Sequence, residues 1–183
     1  GCLIFNTDKD RGYKVVVLDN SSVNDAVYWK DDFLQLEVRN DSFTQTRNAL
    51  ALVKSYVTEK IDEEFELSKP DKIELLNRSI EYFKQKETFD LDEFSSDVIG
   101  SEKGAESFKR YKSVYDEDFD AQLPGSFDIS PAAVKKASSG YKSTIKLDKN
   151  FTLYIHGKRE LVERGFDEER NLNFYKVYFN SEA

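Results

Sequence analysis

The spacing of apolar residues changes period twice along this chain, and that change constrains the fold more than any motif does. Up to residue 40 the apolar residues come in short β-branched or alternating runs. From Ala49 through Leu52, Val53, Tyr56, Val57 and Ile61 they recur at helical spacing, and beyond residue 143 the runs are strand-like again. A chain in this order segregates its sheets from its helices. It predicts an α+β fold: a small antiparallel sheet, a central helical segment, and a C-terminal β-meander with one helix. We divide the chain into a β-rich segment over 1–40, an acidic helical segment over 41–128, and an α+β segment over 129–183. The sequence contains no Met, so Gly1 is read as a cleavage point and residues 1–40 as the end of a domain begun upstream.

Within the first segment, Cys2-Leu-Ile-Phe5 and Tyr13-Lys-Val-Val-Val-Leu18, joined through Gly12, predict a hairpin. Ala26-Val-Tyr-Trp29 and Phe33-Leu-Gln-Leu-Glu-Val38 are read as further strands. Asp41 or Ser42 caps the long helix that follows. A second helix starts near Lys69-Pro70-Asp71, with Ile73, Leu76, Ile80 and Phe83 as its apolar face. Gly100 and Gly104 bracket a break between a short helix over 91–99 and another over about 105–115. Ser130-Pro131 opens a helix running toward Gly140, and strands are expected at 143–147, 151–155 and 173–179, with Asp148-Lys-Asn150 as the first turn.

The formal charge is −8, which taken whole argues against a nucleic-acid partner, because phosphate binding rests on Lys and Arg displacing counterions. The charge is unevenly spread: −1 over residues 1–58, −10 over 59–128 and +3 over 129–183. Between Ser130 and Arg159 seven basic residues stand against Asp148 alone, an island of +6. Lys135 and Lys136 lie on the predicted helix. Lys142, Lys146 and Lys149 lie on a strand and its turn, and His156, Lys158 and Arg159 lie at the turn beyond the next strand. Lys142 and Lys146 are an even number of residues apart and share a face. This is the footprint expected for a phosphate backbone, and it is equally the pattern of a solvated face on a half-exposed sheet.

Other constellations read more plainly. A single Cys and a single His exclude an internal disulfide framework and leave no cluster for structural zinc. Cys2, followed at once by Leu-Ile-Phe, is read as a buried strand residue. His156 has no candidate Cys, Ser or second His beside it and is read as structural or phosphate-contacting. The carboxylate runs Asp31-Asp32, Glu63-Glu64, Asp116-Glu-Asp118 and Asp167-Glu-Glu169 are read as solvated surface, so no metal, cofactor or catalytic residue is assigned. Phe166, Phe174, Tyr175, Tyr178 and Phe179 invite comparison with base-stacking residues. Apolar residues on both faces of the last strand favour a central strand packed on both sides. No apolar run reaches the roughly 20 residues of a membrane helix, and no membrane partner is expected.

Several stretches together resemble the bacterial nucleoid-associated protein family called NdpA in its Bacteroidetes-type form. They are Tyr28-Trp-Lys-Asp-Asp-Phe-Leu34, Val57-Thr-Glu-Lys-Ile-Asp-Glu-Glu-Phe65, Lys72-Ile-Glu-Leu-Leu-Asn-Arg-Ser79 and Phe89-Asp-Leu-Asp-Glu-Phe94. Ile145-Lys-Leu-Asp-Lys-Asn-Phe151, Tyr154-Ile-His-Gly157 and Glu163-Arg-Gly-Phe-Asp-Glu-Glu169 complete the series, which covers nearly the whole chain as the carboxy-terminal portion of a family member. The resemblance implies a cytoplasmic, nucleoid-associated, non-enzymatic protein that binds double-stranded DNA with little sequence preference. The alternative is a protein-interaction or dimerisation module, pairing with a second copy or a nucleoid or DNA-topology protein, with DNA binding carried by the N-terminal part of the longer protein.

Overall fold

At residue 41 the change of period becomes a helix start. In the computed structural model, which describes residues 2–5, 13–17, 33–36, 39–119, 123–141, 144–155 and 159–181, Asp41 is the N-cap of α1 (Ser42–Ser55), its carboxylate accepting from the Thr44 N–H at 3.0 Å. The helix continues through a π turn (Tyr56–Lys60) and a 3₁₀ turn (Ile61–Glu63). The chain divides into two units, Gly1–Asn40 and Asp41–Ala183, each described by itself.

Among the described residues of the first unit, β1 (Cys2–Phe5) pairs with β2 (Lys14–Val17) as an antiparallel hairpin, in the register Cys2↔Val17 to Phe5↔Lys14. Cys2 is exposed and not buried as expected, as are the other three residues of β1. Residues 33–36 are not a strand; Gln35 takes a φ of 47°, which no ladder accommodates. The expected strand over 26–29 lies outside the described residues.

In the second unit, α2 (Lys69–Gln85) begins with a capping box between Ser68 and Asp71 and with Pro70 in its first turn. Its buried face is Leu75, Ser79, Ile80, Tyr82 and Phe83, while Ile73 and Leu76 are half-buried. The stripe is wider than expected because α2 packs against α1, α5 and the turn after α3. β3 (Thr88–Asp90) leads into α3 (Leu91–Phe94) and a π turn (Ser95–Ile99), closed by Gly100 at φ 85°. Gly104 does not mark the break: it lies within α4 (Glu102–Phe119). β4 (Ser126–Asp128) pairs with β3, a short ladder not anticipated from sequence, and sets Phe89 opposite Phe127.

That pairing stacks Phe89 on Phe127 at 4.9 Å and continues a run of rings through Phe83, Phe94 and Phe108 to Tyr56. The stacked and edge-on geometries are those aromatic quadrupoles favour. α5 (Pro131–Ala137) and the 3₁₀ turn Ser138–Tyr141 belong to this same core through Val134 and Tyr141. Two hydrogen bonds hold them to α1: the Ser130 N–H donates to Thr46 Oγ1 at 2.9 Å, and the buried Tyr141 hydroxyl donates to the Leu50 carbonyl.

The fold class is α+β. The C-terminal strands expected as a meander form two separate hairpins. β5 (Thr144–Leu147) pairs with β6 (Phe151–Tyr154), and β7 (Val162–Asp167) with β8 (Leu172–Val177). β8 is therefore not a central strand: Phe174, Tyr178 and Phe179 are exposed and Tyr175 is half-buried, because among the described residues one partner strand covers one edge and no second sheet covers a face.

Candidate nucleic-acid interface

The island residues reach the surface by different routes. On α5, Ala133 and Val134 turn inward, so Lys135 and Lys136 fall on the exposed side of the last helical turn, where a cation suits the helix dipole. On β5, Ile145 is buried and Lys146 points the other way. Lys149 is exposed in the turn to β6, where Asp148 adopts φ 49°. Lys142, His156 and Lys158 lie outside the described residues. Arg159 opens a 3₁₀ turn, Arg159–Leu161, and only its backbone is described.

The electrostatic setting of these lysines differs from that of the helical segment. There, cations are engaged by neighbouring carboxylates: Lys60 with Glu63, Lys72 with Asp62, Lys84 with Glu81 and Lys86 with Glu93. Lys109 pairs with Asp92, Arg110 with Glu64 and Lys112 with Asp116. The Glu93 carboxyl is held below its ordinary range by the Lys86 ammonium and the Tyr82 hydroxyl. Among the described residues, Lys135, Lys136, Lys146 and Lys149 form no ion pair. Their charge is directed at solvent.

Two grooves border the island. Lys135 lines one of about 570 Å³ with Lys84 and Lys86, beside Pro131 and Val134. Lys146 lines another of about 860 Å³, between the start of α2 and the two C-terminal hairpins, with Lys69, Lys72 and Arg164. Sequence reasoning missed these last three cations. Lys69 and Lys72 sit in the acidic segment, where a running charge total hides them, and Arg164 follows Glu163 outside the island; only their position in space reveals them. Among the described residues no group of three His, Cys, Asp or Glu side chains comes together to hold a metal, and no helix is long and apolar enough to cross a membrane.

The sequence matches the family described as nucleoid-associated protein YejK over residues 1–173, from the first hairpin into β8. The chain belongs to that family. This agrees with the resemblance read from the motifs above. No curated protein and no solved structure gives a match.

Proposed function

We propose that this chain is a non-enzymatic nucleoid protein of the cytoplasm that binds double-stranded DNA with little sequence preference, through phosphate contacts from the island Lys135 to Arg159. The observation that carries this reading is that Lys135, Lys136, Lys146 and Lys149 are exposed and, among the described residues, without ion pairs, in a family that is nucleoid-associated. Phosphate contacts position a protein without reading bases, so low specificity follows. Lys142, His156, Lys158 and Arg159 extend the same contact set. The acidic helices repel the backbone and orient the molecule with its island toward it.

The test is a salt titration of binding to two duplexes of equal length and unrelated sequence. Neutralising about five phosphates gives a log–log slope of about −4 to −5, equal for both duplexes, and Lys135→Glu with Lys136→Glu and Lys146→Glu with Lys149→Glu each flatten it. A slope near zero overturns the reading. Plasmid incubated with magnesium or manganese is expected to stay intact.

A second reading, a dimerisation or protein-interaction module, is favoured by the bare hairpins. Tyr154, Phe166 and Phe179 are 68%, 54% and 66% exposed, and large apolar side chains left in water offer surface to a partner. Sedimentation across a concentration series separates the two: self-association that persists without DNA supports the second.

A further inference from the structure

We infer that the groove between the start of α2 and the two C-terminal hairpins binds an unpaired nucleic-acid strand, with bases laid on Phe151, Phe174 and Tyr175 and phosphates held by Lys69, Lys146 and Arg164. All six line one groove of about 860 Å³. Its volume lies within the roughly 300–1,000 Å³ of ligand sites in general.

The rings come first in the argument. Phe151 is 66% and Phe174 43% exposed, which leaves part of each ring in water. Phe174 is nonetheless fixed. A Cβ built on Gly165, its cross-strand neighbour, would lie 2.3 Å from the ring, so the ring rests directly on the β7 backbone. A ring held in place and still exposed is a platform.

The charges complete the site. Asp62 lines the groove but is engaged by Lys72, so Lys69, Lys146 and Arg164 face Asp148 as the one remaining carboxylate among the lining residues. Arg164 donates to Asn173 Oδ1 at 3.2 Å, which orients the guanidinium without neutralising it. Cations that track a backbone beside rings that take bases are the two ingredients of single-strand binding. A duplex keeps its bases stacked inside and gains nothing from the rings. An acidic polypeptide would use the cations and leave the rings idle. The inference shares only Lys146 with the duplex-binding reading and does not depend on it.

The full chain is titrated, by fluorescence anisotropy, into labelled oligothymidylate, an abasic strand of equal length and a duplex of equal length. Stacking one base changes affinity by about five- to 150-fold, so oligothymidylate is expected to bind at least about fivefold tighter than the abasic strand. Phe151→Ala is expected to remove much of that advantage, and Gly165→Ala, which displaces the Phe174 ring, a comparable share, with both variants melting cooperatively. Equal affinity for thymidylate and abasic strands overturns the inference, as does displacement of thymidylate by polyglutamate at matched charge. A measurement free of substitutions is photo-crosslinking of a 5-iodouracil strand to the unaltered protein. Adducts on Phe151, Phe174 or Tyr175 support the site, and adducts confined to residues outside the groove overturn it. Loss of duplex binding with thymidylate binding retained would end the duplex reading and leave this one standing.

Discussion

Phe89 and Phe151 are the same side chain in opposite circumstances. Phe89 is fully buried, in ring contact with Phe83, Phe94 and Phe127, whereas Phe151 is 66% exposed at the turn end of β6. Lys86 and Lys146 repeat the contrast for charge: Lys86 is bonded to Glu93 at 2.5 Å, and Lys146 forms no ion pair among the described residues. The rings of the helical core and most of the cations on α2 and α4 are satisfied internally. On the hairpins Lys176 reaches Glu163 at 4.0 Å and Arg170 reaches Asp167 at 3.7 Å, while Lys146, Lys149, Phe151 and Phe174 face solvent, so burial is concentrated in the first region and exposed ring and charge in the second.

The largest expected effect tests that division directly. Phe89→Ala removes the ring at the centre of the aromatic run and is expected to cost about 3–5 kcal/mol in urea unfolding followed by circular dichroism. Phe151→Ala is expected to fall within about 0.5 kcal/mol of the parent. Comparable costs at the two positions would mean the hairpin ring is packed, and the comparison would fail.

Hydrogen bonding gives the next effect. Tyr141→Phe removes the hydroxyl that donates to the Leu50 carbonyl, in a buried site where desolvation already pushes the tyrosine pKa upward. A loss of about 1–2 kcal/mol is expected, whereas Tyr154→Phe, on a side chain 68% exposed, should be silent. A smaller loss of about 1 kcal/mol is expected for Ser68→Ala, which opens the capping box of α2. Because Lys69 follows that cap, the variant should also weaken strand binding at the groove. Differential scanning calorimetry and the anisotropy titration read the two effects separately.

What could be read from sequence was local. Helix starts at Asp41, Pro70 and Pro131 are short-range chemistry, and the hairpin turn at 148–150 is set by a few residues. Pairings across the chain were not legible. The β3–β4 ladder joins residues 88–90 to 126–128, too short on either side to show a period. The ion pairs Arg110–Glu64, Lys72–Asp62 and Lys109–Asp92 decide which cations remain available, and no charge count along the chain contains that information. The last strand misled for a definite reason. Apolar residues on both faces describe a strand buried on both sides and also a strand covered on neither, and sequence does not distinguish these. The island lysines Lys135, Lys136, Lys146 and Lys149 were found by charge. Their partners at the groove, Lys69 and Arg164, required the fold.

The smallest effect separates the two regions by pH. Glu93 titrates below its ordinary value of 4.5, first because the Lys86 ammonium bonds it and then because the Tyr82 hydroxyl donates to it at 2.8 Å. A carboxyl depressed in the folded state adds stability that is fully present above its unfolded value and is lost as pH falls through the folded one. Lys86 is raised by the same bond, so its share is present below the ordinary lysine value and disappears only in strong base. Glu93→Gln should therefore separate from the parent in thermal melts near neutrality and converge with it in acid, below the ordinary glutamate range. Tyr82→Phe removes one of the two donors but not the stronger. Introduced into both the parent and the Glu93→Gln variant, it should narrow the acid-dependent gap between them without closing it. Thymidylate binding by the hairpins rests on neither residue, so at neutral pH both single variants are expected to bind as the parent does; a binding defect in either would show that the helical part and the hairpins are coupled.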